Sequence, residues 1–236
     1  MNELPLVPGT FPPGLEHLLQ IDKLLIIQKL EAAEIIYGIE TINRYEVTNN
    51  IGQQIYFATE KSNLCFRFIC GQQRPFKVYV ADNMGTEVMC FKRPLQCSCC
   101  CSPCCLQKLE VQAPIGEPIG YVIQKWHPCL PMFAIQNKNK ETVLRISGPC
   151  CCCRWCCAYN FKIEALHSSE EIGKITKVWG GLVVEALTDA DNFEVSFPMD
   201  LDVSIKAVLL GASILIDFMY FEKTSKQLIE VTDRNQ

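Results

Sequence analysis

The sequence predicts a mainly-β protein in which a closed barrel surrounds a hydrophobic C-terminal helix, and three observations predict it. The stretch Val203 to Phe221 is apolar on every side, broken only by Ser204, Lys206, Ser213 and Asp217, so no face of that helix suits water. The N-terminal half consists of short apolar or alternating runs separated by turn signals, the rhythm of an all-β chain. The middle of the chain repeats itself: Val88 answers Val143, 55 positions on, and Ile119 answers Ile172, 53 positions on, so two β-modules of related design lie in tandem. Neither module buries enough apolar area to offset its own ordering. A curved sheet built from both, together with the N-terminal strands, can close around the helix and leave few open edges.

Taken in order, Met1 to Pro13 carries Pro5, Pro8, Pro12 and Pro13 and reads as an extended leader. The expected division is a leader over residues 1–14, one domain over 15–222 and a polar tail over 223–236. Leu24 to Leu30, Tyr45 to Thr48, Gln54 to Ala58 and Leu64 to Ile69 are predicted strands, with Asn49-Asn50-Ile51-Gly52 as a hairpin turn. Asp82-Asn83-Met84-Gly85 precedes a strand ending at Pro94, and Asn137-Lys138-Asn139-Lys140 precedes a strand ending at Pro149; a cysteine cluster follows each proline. The segment from Ile119 to Trp126 is matched by the segment from Ile172 to Trp179. In the C-terminal helix the uncharged run from Ala207 to Ile216 is ten residues long. A spanning helix wants roughly 20. An Asp217 inside hydrocarbon costs about 2.5–3.5 kcal/mol on insertion scales. Length and charge favour enclosure by the protein itself, while enclosure by a membrane stays open.

Composition narrows the class. With 236 residues and 49% hydrophobic content the chain can bury a sizeable core. Its net charge of -4 argues against general nucleic-acid affinity. Met1 to Gly14 lacks the basic start and apolar run of a signal peptide, so the 16 cysteines are expected in a reducing cytosol, where a disulfide framework does not persist. No catalytic constellation emerges: His17, His127 and His167 sit in no motif with a paired nucleophile or acid, and His127-Pro128 reads as a turn. An enzyme is not expected.

Several motifs in order then carry a family resemblance. Pro12-Pro13-Gly14-Leu15-Glu16, Gly52-Gln53-Gln54-Ile55-Tyr56-Phe57, Arg93-Pro94-Leu95, Gly173-Lys174-Ile175-Thr176-Lys177, Asp189-Ala190-Asp191-Asn192-Phe193 and the helix with its flanks resemble the phospholipid scramblases. The resemblance implies a tubby-like fold, a barrel of about 12 strands around a buried hydrophobic helix. It also implies calcium-triggered, ATP-independent movement of phospholipids between leaflets, at the cytosolic face of the plasma membrane. Many members carry a long Pro-rich N-terminal region that binds partner modules; here the leader is short.

Several candidate sites follow. Cys99, Cys100, Cys101, Cys104 and Cys105 bundle thiols beside Lys92 and Arg93, which suits S-palmitoylation at an anionic leaflet. The resemblance implies acylation in this loop, with Ser102 replacing one family cysteine. Zinc is the competing reading, through Cys101 and Cys104 and through Cys153 and Cys156, each pair a C-x-x-C. The second cluster, Cys150 to Cys153 with Cys156 and Cys157, occupies the equivalent loop of the repeat and suits either a membrane interface or a soft-packed interior.

The acidic segment places carboxylates at positions 1, 3 and 12 of a twelve-residue loop, as calcium-binding EF-hands do. The resemblance puts a calcium site on Asp189, Asp191, Phe193, Val195, Phe197 and Asp200. Glu194 stands where the sharp-turn glycine is expected, and Phe193 brings no side-chain oxygen. The same residues alternate like a strand, so a last barrel strand entered through an acidic turn is the rival reading. Gly173, Lys174 and Lys177 lie in a segment resembling an atypical nuclear import signal, which implies an import receptor as a second partner and a nuclear pool when the protein is not acylated. On the helix, Lys206, Leu210, Gly211 and Asp217 are the positions that decide between barrel and bilayer. Three functions stand: direct lipid movement, a lipid-anchored binding or signalling module that moves none, and a zinc-binding nuclear regulator.

Overall fold

The computed structural model describes residues 11–29, 42–96, 106–150, 160–166, 168, 170–178 and 192–221. Its strands are β1 (Lys23–Lys29), β2 (Arg44–Asn49), β3 (Gln54–Lys61), β4 (Phe76–Ala81), β5 (Glu87–Arg93), β6 (Lys108–Gln112), β7 (Pro118–Lys125), β8 (Met132–Asn137), β9 (Thr142–Ser147), β10 (Asn160–Ala165), β11 (Glu171–Val178) and β12 (Asn192–Ser196). A short helix α1 (Leu64–Cys70) joins β3 to β4, and α2 (Val203–Tyr220) ends the described chain. Every strand pairs with its sequence neighbour, and β12 closes on β1, giving a closed antiparallel barrel of 12 strands with no edge.

Alternation builds the interior. Leu24 and Ile26, Tyr45 and Val47, Val78 and Val80, Leu109 and Val111, and Phe193 and Val195 are buried, while the residues between them face outward. This meander makes the two ends unlike. The connections leaving the even strands span at most five residues, such as 50–53, 82–86 and 138–141; those leaving β1, β3, β5, β7, β9 and β11 span six to fourteen. At the turn end, the Asn49 side chain accepts from the Ile51 and Gln53 amides, and Gly52 takes φ +79°, as the predicted hairpin turn requires.

The helix enters at the turn end. Asp202 Oδ1 caps it by accepting from the Ile205 amide at 3.1 Å, and every residue from Ile205 to Phe218 is buried. Strands β6, β7, β8 and β12 meet it directly. Gly211 marks a close approach: a Cβ there would lie 2.9 Å from Val111 Cγ2 and 3.1 Å from Leu109 Cδ2. The helix is long and apolar enough to cross a bilayer, but the barrel encloses it.

The predicted strand over Leu64 to Ile69 is the helix α1. A short continuous apolar run has no period that separates strand from helix. The Asn63 side chain decides locally, accepting from the Cys65 amide at 2.9 Å so that the chain turns in on itself. The end of the leader is packed as well: Phe11 rests on the core and the Gly14 carbonyl accepts from the Tyr56 hydroxyl at 2.8 Å. The rest of the leader, residue 222 and the polar tail over 223–236 lie outside the described residues.

Candidate functional site

The loop end holds a buried polar layer where the helix emerges. Alternation along β3 turns Tyr56, Ala58 and Glu60 inward, and Glu60 would be an uncompensated charge there without a partner. Arg74 supplies it, its Nε donating to Glu60 Oε1 at 2.9 Å and its Nη2 to Oε2 at 3.1 Å, while Nη1 donates to the Gly71 carbonyl. The guanidinium also lies 4.8 Å from the ring centre of Phe218, which stacks on Phe76. Beside it, the Tyr45 hydroxyl donates to Asp217 Oδ2 at 2.6 Å, so the second charge of the helix is held inside the barrel.

Arg93 is buried too, its Nε donating to Gln107 Oε1 at 2.7 Å; Gln107 in turn donates from its side chain to the Gln96 carbonyl and from its amide to Gln124 Oε1. These bonds tie together the two roots of the 94–107 connection, the one that carries the first cysteine cluster. Lys92 is exposed. The expected basic pair is therefore divided: Lys92 faces solvent and Arg93 faces the core, because neighbours on a strand point to opposite sides.

At the turn end, Lys206 is fully buried and its ammonium donates to four backbone carbonyls: Leu18 at 3.0 Å, Leu19 at 3.3 Å, Ile21 at 2.8 Å and Met199 at 2.7 Å. Burial draws its pKa below the ordinary lysine value, with Asp200 and Asp22 pulling the other way. Burial likewise raises the Tyr56 phenol and the Cys90 thiol, which makes Cys90 a packing residue rather than a nucleophile.

The other expected sites divide between described and undescribed residues. Cys99, Cys100, Cys101, Cys104, Cys105, the cysteines from Cys151 to Cys157, Asp189 and Asp191 lie outside the described residues; Cys150 is described, as a free thiol. The strands flanking both cysteine clusters and the acidic pair (β5 and β6, β9 and β10, β11 and β12) all present those connections at the loop end. Phe193 and Val195 are core residues of β12, Phe197 is buried just beyond it, and Asp200 is exposed in the turn that follows. A five-residue strand thus separates Asp200 from the acidic pair, about 3.3 Å per residue. Glu194 occupies no sharp turn: it faces outward on β12, 3.2 Å from Lys23 Nζ. Among the described residues no three His, Cys, Asp or Glu side chains gather to hold a metal.

Gly173, Lys174 and Lys177 lie on β11, bonded to β10 and β12 on both sides. Lys174 is exposed, whereas Lys177 is half-buried, 4.6 Å from the Phe221 ring centre. The two lysines therefore present no common face. The sequence reading missed the Glu60 and Arg74 pair; a charge in phase with Tyr56 and Ala58 was the signal for it.

Comparison with known proteins adds the family. The scramblase family profile matches residues 1–223. Phospholipid scramblase 2 of Bos taurus is 56% identical over 220 residues, covering 93% of this chain and 75% of that protein. Human phospholipid scramblase 1 is 55% identical over 223 residues, 94% of this chain and 70% of that protein. Human phospholipid scramblase family member 5 is 48% identical over 214 residues, 90% and 79% respectively. No solved structure matches. With its whole barrel and helix inside the matched span, this chain belongs to the scramblase family.

Proposed function

We propose that this protein moves phospholipids between the leaflets of a membrane, without nucleotide hydrolysis and in response to calcium, while acyl chains hold it on the cytosolic face of the plasma membrane. Membership of a family whose relatives are named phospholipid scramblases is the observation that carries this reading. The unlike ends of the barrel support an orientation. The connections bearing Cys99 to Cys105, Cys150 to Cys157, and Asp189 with Asp191 all leave the same end, so acyl chains on those thiols bring the acidic pair to the bilayer as well. In this proposal calcium is held through Asp189 and Asp191, with a weak affinity of roughly 0.1–1 mM, and Asp200 takes no part.

The direct experiment reconstitutes the purified protein in vesicles carrying fluorescent phospholipid in both leaflets and measures the fraction bleached by an impermeant reductant. Calcium raises that fraction well above the protein-free level, and Asp189→Ala with Asp191→Ala removes the increase. A bleached fraction equal to that of empty vesicles, with and without calcium, overturns lipid transport. A calcium response that survives the double substitution moves the calcium site elsewhere.

One observation favours a second reading, a tethered binding module that moves no lipid. The helix is enclosed, and both of its charged side chains find hydrogen-bond partners inside the barrel. Membrane partition without lipid movement in the same vesicles is the outcome that selects this reading.

A further inference from the structure

The outer wall of the barrel beside the β7–β8 connection holds a cleft of about 280 Å³, lined among others by Lys125, Trp126, His127, Met132, Arg145 and Leu166. Its chemistry is two-sided. Trp126 is 57% exposed, an unusual state for an indole, and Met132 and Leu166 extend the apolar lining. Three hydrogen-bond donors lie among these groups. Arg145 stands opposite Glu164 in the register of β9 and β10, yet Glu164 accepts from the Ser147 hydroxyl at 2.9 Å. The Arg145 side chain makes no hydrogen bond or ion pair among the described residues. A half-buried guanidinium with its whole fork of donors unused is ready for a planar or tetrahedral oxyanion. The His127 ring is fixed in one tautomer: Nδ1 accepts from the Leu130 amide at 2.9 Å and the Cys129 amide at 3.2 Å, so the ring proton sits on Nε2, which remains a donor. Lys125, exposed at the end of β7, adds a second full positive charge.

We infer that this cleft binds a phosphate group, with the apolar part of the same molecule lying against Trp126, Met132 and Leu166. Arg145 takes two phosphate oxygens, His127 Nε2 and the Lys125 ammonium complete the contact, and the two positive charges of the donor set suit a phosphate oxyanion. A phospholipid headgroup and a free phosphate compound share this chemistry. The lipid source rests on the proposed function, whereas the anion site stands on the side chains alone.

The test uses the full chain without acyl groups, with Trp155→Phe and Trp179→Phe leaving Trp126 as the only indole. Its fluorescence is titrated with dihexanoyl phosphatidylserine and dihexanoyl phosphatidylcholine below their micellar concentrations, and separately with inorganic phosphate. The short lipids give a saturable change, and Arg145→Gln weakens their binding about ten-fold or more, the loss of a charge-assisted contact. Lys125→Gln, at an exposed position that does not bear on folding, weakens it several-fold. Inorganic phosphate binds at least ten-fold more weakly than either lipid. No saturable change, or wild-type affinity in both variants, overturns the site. Phosphate binding as tightly as the lipids keeps the anion site and overturns the lipid as its occupant. The assay contains neither bilayer nor calcium, so its result and that of the transport assay stand or fall separately.

Discussion

Replacing Lys206 with methionine tests how the turn end of the barrel is closed. The substitution keeps most of the side-chain volume but removes the ammonium that four carbonyls share. The contacts to Leu18 and Ile21 are buried, and those to Leu19 and Met199 are partly open to water. Two buried acceptors left empty cost about 1–3 kcal/mol each, part of which is offset because a charge no longer has to be desolvated. The net loss is about 2–4 kcal/mol in urea unfolding of the unacylated protein. The sign of the pH dependence is also fixed. The native pKa of Lys206 lies below the ordinary lysine value of 10.5, so between those two values the unfolded chain holds a proton that the native state has lost. This group therefore makes stability rise with pH across that window, and the methionine variant lacks the rise. An unchanged urea midpoint at neutral pH, together with an unchanged alkaline slope, refutes the argument.

The remaining predictions concern the helix, the buried pair and the cysteines. Leu210→Ala opens a cavity in the centre of the barrel and costs about 2–5 kcal/mol, and Gly211→Val, with Val111 and Leu109 already at contact distance, costs about 1–3 kcal/mol or more; urea midpoints check both. Glu60→Ala strands the Arg74 guanidinium and costs about 3–5 kcal/mol, whereas Lys61→Ala, at an exposed pair with Glu87, costs under about 1 kcal/mol in the same assay. Serine at Cys99, Cys100, Cys101, Cys104 and Cys105 together shifts the expressed protein from the membrane to the soluble or nuclear fraction and removes its acyl label, as fractionation and click labelling would show.

Much of the fold was legible because it rests on periodicity. The all-round apolar helix, the Asn49 to Gly52 turn and the 53-to-55-residue repeat each have a direct structural counterpart; the repeat maps β5 onto β9 and β7 onto β11, four strands further round the barrel. Where local signals were ambiguous, the reading failed. Leu64 to Ile69 is apolar without a period, and only the Asn63 cap distinguishes helix from strand. Lys92 and Arg93 look like one basic pair on paper, but the pleat sends them to opposite faces, and the core partner Gln107 lies 14 residues away. The phosphate cleft was not legible at all. It joins residues from β7, β8, β9 and the end of β10 that no local pattern connects, and His127 showed only as a turn residue.

Enclosure of the helix is the claim on which the rest depends, and hydrogen exchange tests it most directly. The unacylated protein is placed in deuterated buffer without lipid or detergent, and exchange is followed for the amides from Val208 to Ile216. These amides are predicted to exchange only through global unfolding, as slowly as those of β6 and β7 around them. Helix amides that exchange faster than the strands while the barrel stays folded would contradict enclosure.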